Sequence, residues 1–343
     1  MGNYPIIDLR SDTVTKPGPE MLEAMFRADV GDDVFEEDPT VKMLEAKAAK
    51  LFGKEAGLFV TSGTMANQLG IKVLTQPQDE VICDKLAHIF YYEAGGVAFN
   101  SGVSLRFIEG NRGRMKASQI EENINPPNLS YISPTTLVCV ENTSNKGGGS
   151  YYSLKEMQEI SDLCRAQKIN VHLDGARIFN ALTETGDSAE AVGKLFDTVG
   201  FCLSKGLGAP VGSLLLSTKE NIFKARRIRK AWGGGMRQAG YLAAAGIYAL
   251  DHHVPLLKKD HLRARQIGSV LNTLSWVEEV LPIDTNIIIF RVSAATDLKK
   301  LLEHLMTNNI KAMQFGKQQI RMVTHLDIHD VMLDRIEEVL RKF

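Results

Sequence analysis

The segment Asn170–Asn180, NVHLDGARIFN, and the segment Val199–Pro210, VGFCLSKGLGAP, decide how this chain folds. The first is a short apolar strand (Val171, Leu173) that breaks off at Asp174-Gly175. The second is an apolar strand from Val199 to Leu203 that breaks off at Ser204-Lys205-Gly206. A helical spacer separates them, so both read as members of one parallel sheet. Ligands of such sheets lie beyond the carboxyl ends of the strands. An acid and an amine delivered from two strand ends, each followed by a glycine that lets backbone come close, form a candidate site. A lysine set beside apolar residues favours the neutral amine that Schiff-base chemistry needs. The alternative is a buried Asp–Lys or Asp–Arg ion pair with no chemistry attached.

Working outward, strand and helix signals alternate. Gly57–Val60, EVICD (80–84) and TLVCV (136–140) read as strands before the deciding segment, and GSLLLS (212–217) as one after it. Between them lie helical periodicities over TVKMLEAKAAKLF (40–52) and 153–167, and two serine-led capping boxes, Ser118–Glu121 and Ser153–Glu156. This βαβα texture predicts an α/β fold, a mostly parallel sheet with helices on both faces. From about residue 252 the pattern changes to a long helix (255–274), strands 286–292 and 319–324, and helices near 297–308 and after 328, a smaller α+β unit. The predicted division is an arm over 1–16, a large domain over 17–251 and a small C-terminal domain over 252–343.

The chain has 343 residues, 44% of them hydrophobic, enough for one large core and a smaller one. Its 40 Lys+Arg and 41 Asp+Glu cancel, so nothing global points to nucleic acid or an anionic membrane. No apolar run approaches the roughly 20 residues that span a bilayer, and MGNYPIIDLRSD lacks the makings of a signal peptide. Met1-Gly2 is a weak myristoylation signal. The four cysteines (83, 139, 164, 202) have no metal-type spacing, and buried thiols in a reducing cytoplasm are the expectation.

Several constellations could carry chemistry. Thr61-Ser62-Gly63-Thr64 stands between a strand and a helix, where backbone N–H groups and hydroxyls make a pocket for a phosphate ester. An ordinary N-cap explains one of those hydroxyls but not the cluster. No Walker lysine follows, and neither triple glycine (147–149, 233–235) forms a dinucleotide fingerprint, which argues against a dehydrogenase. His88, followed by Phe90, Tyr91, Tyr92 and Glu93, could stack on a planar cofactor or move protons; an ordinary surface histidine is the plain alternative. His325, Asp327 and His329 invite a metal reading, but no third strong ligand is spaced to join them, so no metal is expected. The basic run 224–230 reads as a solvated helix face. Arg177, Arg237 and Arg321 sit at element ends, where a guanidinium can hold a carboxylate or phosphate bidentately. A phosphate pocket, an amine and an acid suited to a protonated pyridine nitrogen together suggest pyridoxal phosphate.

DLRSDTVTKP (8–17), VGDDVFEEDPT (30–40), SGTMANQ (62–68), HIFYYEAGG (88–96), HLDGARIFNA (172–181), LSKGLGAPVGS (203–213), GGGMRQAG (233–240) and RMVTHLD (321–327) resemble, in this order, low-specificity L-threonine aldolase. The resemblance implies a fold-type I enzyme dependent on pyridoxal 5'-phosphate, built on a mainly parallel seven-stranded sheet. It further implies retro-aldol cleavage of L-threonine or L-allo-threonine to glycine and an aldehyde, in a homotetramer whose sites are shared between subunits. Lys205 would carry the cofactor, Asp174 would hold its ring nitrogen and His88 would stack on the ring. Gly63 and Thr64 would bind the phosphate, joined by Arg237 of a neighbouring subunit, with Arg177 also close to the cofactor. Ser11, Arg177 and Arg321 would hold the substrate carboxylate. Glu93, through water, and His88 are rival bases for the β-hydroxyl. The family's usual ENTHN is ENTSN here, which puts Ser144 where a histidine approaches the substrate, and its usual tyrosine in GDDVYGEDP is Phe35. Another fold-type I activity, such as β-elimination, and a non-catalytic binding protein on the same scaffold are the other readings.

Overall fold

The computed structural model describes residues 5–343, so Met1-Gly2 lies outside the described residues. A two-residue strand, β1 (Ile7–Asp8), opens the described chain. Six strands read from the sequence follow as β2 (Ala56–Val60), β3 (Glu80–Asp84), β5 (Thr135–Glu141), β6 (Asn170–Asp174), β7 (Thr198–Cys202) and β8 (Ser213–Ser217). They are joined by a strand the sequence reading missed, β4 (Ser104–Ile108), whose half-exposed SLRFI pattern carries only one fully buried residue. The sheet order is β2-β8-β7-β6-β5-β3-β4. The pairs from β7 to β4 are parallel, and β8 runs antiparallel to both of its neighbours.

Both faces of this sheet are covered, and the alternation along each strand shows it. Ile82, Val138, Val140, Val171, Leu173, Val199 and Phe201 point into the largest core. Val81, Cys83, Leu137 and Cys139 point into a second core on the other face, and Leu58, Val60 and Leu215 into a third. Phe201, one residue before the end of β7, stacks on Phe52 at 5.4 Å and meets Phe179 edge-on at 5.4 Å. Burying a ring of this size contributes about 1.5–3 kcal/mol. Here it ties the end of β7 to the helix Ile178–Thr185 that follows β6. The two strand ends that carry Lys205 and Asp174 are thereby held in one frame.

The C-terminal part builds a four-stranded antiparallel sheet, ordered β12-β13-β10-β9, from β9 (Val277–Val280), β10 (Ile287–Val292), β12 (Met313–Gly316) and β13 (Gln319–Val323). β9 and β12 escaped the sequence reading because their side chains are half-buried or exposed. The N-terminal arm does more than lead into the first helix. β1 pairs in parallel with β11 (Ile310–Lys311), and Ile7 and Leu9 are buried in the core of this second sheet. The expected Ser118 capping box is displaced: the helix starts at Ala117, and the Gln119 side chain accepts the Lys116 N–H at 2.9 Å. The Ser153–Glu156 box forms as read.

Candidate active site

β5, β6 and β7 lie side by side and end together, with Glu141 in register with Asp174 and Asp174 with Gly200. Asp174 is buried at the last position of β6, and its Oδ1 accepts the Ala176 N–H at 3.2 Å. Its other oxygen accepts from Asn67 Nδ2 at 2.9 Å. That same amide nitrogen donates to Glu93 Oε1 at 2.8 Å. Asn67 is fixed in turn by His172 Nε2 at 3.1 Å, whose Nδ1 meets Thr198 Oγ1 at 2.8 Å. Burial pushes His172 down to about 4, so it stays neutral and donates through one nitrogen while accepting through the other.

His88 opens the short helix His88–Tyr91, and its Nδ1 lies 2.9 Å from Glu93 Oε1. Burial opposes its charging, but the Glu93 hydrogen bond and the nearby carboxylates of Asp174 and Glu141 raise its pKa above the ordinary value. Glu93 is saturated: Oε1 takes Asn67 and His88, and Oε2 takes Gln68 Nε2 at 2.6 Å. His88, Glu93 and Asp174 offer ligand atoms within 4.8 Å of one another, but the Asn67 amide bridges the two acids, and the arrangement is a hydrogen-bond network.

Lys205 follows β7, three residues after Cys202, and its Nζ has the thiol of Cys202 as partner at 3.3 Å. Gly63 and Thr64 are the first two residues of the helix Gly63–Leu74, where N–H groups have no intrahelical acceptor. Ser62 caps that helix through its own hydroxyl. A side chain at Gly63 would put a Cβ 2.6 Å from Cys202 Sγ, so only glycine brings the helix N-terminus against the end of β7.

The two arginines expected to clamp a carboxylate differ. Arg177 is buried in a bidentate pair with Asp12, with both bonds at 2.7 Å. Burial works against the Asp12 charge, but Arg177 and then Lys205 outweigh it and hold that carboxyl well below the usual range. Arg321 has no carboxylate partner among the described residues: Nη1 donates to Asn145 Oδ1 at 2.8 Å and Nη2 to the Arg10 carbonyl at 3.0 Å. Its Nε is buried without a partner, and burial, with Arg177 nearby, lowers its pKa to about 10. Ser11 accepts from Thr13 and contacts Asp12.

Two further expected residues have partners of their own within the chain. Ser144 accepts the Gly147 N–H at 3.2 Å and faces Gly113, which makes it part of a turn. Arg237 is half-exposed and paired with Asp32 at 2.9 Å, its guanidinium 6.0 Å from the ring of the exposed Phe35. The sequence reading missed Asp12, Asn67, Glu141 and Asn145. Asp12 and Asn67 lie inside stretches it quoted, and Glu141 ends a strand it found, so position at an element end was the usable signal. Their partners were not readable: Asp12 and Arg177 are 165 residues apart.

The beta-eliminating lyase family model matches residues 8–295. Low-specificity L-threonine aldolase 1 of Arabidopsis thaliana is 39% identical over 94% of this chain and 92% of its own length. The low specificity L-threonine aldolase of Escherichia coli K12 is 38% identical over 98% of this chain and 99% of its own. Among solved structures, the threonine aldolase of Leishmania major superposes with a TM-score of 0.85 over 98% of this chain and 99% of that one. At 19% identity that likeness speaks to the fold alone. The fold is fold-type I, as read from the sequence. By family match and by identity along almost its whole length, the chain belongs to the beta-eliminating lyase family and, within it, to the low-specificity L-threonine aldolases.

Proposed function

We propose that this protein is a pyridoxal-phosphate-dependent aldolase that cleaves L-threonine, L-allo-threonine and related β-hydroxy-α-amino acids to glycine and an aldehyde. The observation that carries the reading is the placement of Asp174 and Lys205 at the ends of the neighbouring strands β6 and β7, with the Gly63 helix start packed against Cys202 at the end of β7, in a chain 38% identical to an aldolase along its full length. The residues fit the cofactor. The helix N-terminus offers unpaired N–H groups to a phosphate. Lys205 offers an amine whose partner is a single thiol, and Asp174 offers a buried carboxylate at the end of β6. Bound there, pyridoxal phosphate would supply an electron sink for the bond broken between Cα and Cβ.

The protein's own part is to orient and to move one proton. Arg321, lacking any carboxylate of its own, would take the carboxylate of the substrate, with Ser11 beside it. Arg177, already paired with Asp12, would act chiefly as a wall and a source of positive potential. His88 is the better base for the β-hydroxyl: its Nδ1 is backed by Glu93 and its Nε2 has no hydrogen-bond partner among the described residues, whereas both Glu93 oxygens are engaged. A proton taken at Nε2 would be balanced by the Glu93 carboxylate behind the ring. With Ser144 bonded into its turn, no second imidazole approaches from that side.

The catalytic unit would comprise the arm 1–16, the large domain 17–251 and the small domain 252–343. It would work as a cytoplasmic homotetramer, with Arg237 reaching the phosphate of a neighbouring subunit. Half-exposed Arg237 and four buried free thiols support this reading, and light scattering in solution tests the tetramer. No helix among the described residues is long and apolar enough to cross a membrane. Measuring glycine and aldehyde from L-threonine, L-allo-threonine, their D-isomers and L-phenylserine tests the activity. The match to the beta-eliminating lyase family favours a second reading, β-elimination, which would release ammonia and a 2-oxo acid instead, 2-oxobutyrate in the case of threonine.

A further inference from the structure

Glu141, the last residue of β5, is buried and uses both carboxylate oxygens on backbone N–H groups. Oε2 accepts from His88 at 3.0 Å, and Oε1 accepts from Asn145 at 2.9 Å. The first N–H belongs to the residue that opens the helix bearing the imidazole. The second belongs to the residue whose side-chain oxygen takes Arg321 Nη1 at 2.8 Å. One carboxylate thus holds two walls of the pocket that come from different parts of the chain.

We infer that Glu141 is a positioning residue that fixes the His88 imidazole and the Arg321 guanidinium relative to one another, through the N–H groups of His88 and Asn145. The inference rests on the proposed reading of this pocket as one that holds a cofactor and an amino-acid carboxylate. Glutamate suits the task because a carboxylate accepts at both oxygens and donates at neither. Glutamine would aim an NH₂ at one of the two N–H groups, and aspartate is one methylene too short to meet both. The arrangement is also poised to respond to pH. Burial and the adjacent Asp174 charge push the Glu141 carboxyl up to about 7, against the Asn145 N–H and His88 that favour its charge. Cys83, Tyr92, Tyr152 and Arg177 are the other titratable groups that feel it. Protonation would free one N–H and loosen one wall.

The test compares wild type, Glu141→Gln and Asn145→Ala, each reconstituted with pyridoxal phosphate. Wild-type cleavage of L-threonine is checked first; if it is absent, the functional reading fails on its own. KM and kcat are then measured, and the His88 ring is titrated by NMR in cofactor-free protein, with His88→Asn assigning the signal. Asn145→Ala should raise KM about tenfold, the size of a contact worth ~1.4 kcal/mol. Its kcat and His88 titration should stay near wild type. Glu141→Gln should raise KM by a similar factor and also move the His88 titration to lower pH, because an acceptor and a negative charge are lost. If Glu141→Gln does not fold, Glu141→Asp takes its place; it keeps the charge but is too short to meet both N–H groups, so KM should rise and the His88 titration should move down by less than in Glu141→Gln, because the carboxylate has withdrawn from the ring. An unchanged KM in either arm, or a His88 titration that ignores position 141, overturns the inference. A lowered melting temperature with wild-type KM and titration would mean a purely structural role, and overturns it equally.

Discussion

Arg177 and Arg321 look alike in the sequence, each read at an element end, yet Arg177 lies past the end of β6 while Arg321 is the central residue of β13, and the structure gives them opposite situations. Arg177 is buried beside Asp12, and the pair closes on itself through two 2.7 Å bonds. Arg321 is buried among neutral acceptors, one amide oxygen and one carbonyl, with its Nε unpaired. A buried charge is costly unless something pairs with it. Arg177 has met that cost inside the fold, while Arg321 leaves it for a ligand to meet. Of two candidate clamps, the incomplete one is suited to bind a carboxylate, and the complete one is suited to hold the arm, through Asp12, onto the end of β6.

Substitutions can break this contrast at several scales. The largest effect belongs to Lys205, whose charge is felt by the Asp12 that pairs with Arg177: Lys205→Ala should abolish threonine cleavage and the visible absorbance of bound cofactor, and wild-type turnover in that variant would sink the assignment. Arg177→Ala should be chiefly a stability lesion. It strands Asp12 in the interior, where breaking a buried pair costs about 3–5 kcal/mol, readable by denaturant unfolding. Arg321→Ala should instead be a binding lesion. KM should rise about 10- to 100-fold, the worth of a charged hydrogen bond of roughly 1.5–3 kcal/mol, with less change in stability than Arg177→Ala.

Acid sharpens the same contrast. The Asp12 pKa is depressed in the folded protein, so its contribution is complete above its unfolded value near 3.9 and is lost as pH falls toward the folded one. Unfolding followed below about pH 5 should show this loss in wild type and not in Asp12→Asn. The smallest effect has the opposite sign. Asp260 is fully buried, and among the described residues neither oxygen has a hydrogen-bond partner and the nearest cation is Arg263 at 3.5 Å. Burial, despite Arg263, raises its carboxyl to about 7, so the protein loses stability as pH rises through that value. Asp260→Asn should therefore gain on the order of 1–2 kcal/mol over wild type at pH 8, relative to pH 5.

What was legible in the sequence follows from the range of the forces involved. The apolar runs of β5, β6 and β7, buried on both faces, and the glycines after Asp174 and Lys205 are local signals, and they located the strands, the parallel sheet and the two chemical groups at their ends. β4, with its half-exposed pattern, had no such signal. Asn67 looked like one polar residue in a helix, and only the fold aims its amide at two carboxylates, 26 and 107 residues away in sequence. The sequence by itself determined six of the seven strands of the large sheet, the helix start at Gly63 and the presence of an amine and an acid near two strand ends, because propensity, periodicity and the need for glycine act within a few residues. Only the tertiary structure decided which arginine is committed, which acid is saturated and which carboxylate joins two walls, because a buried charge takes its partner from whatever the packed chain brings within about 3 Å.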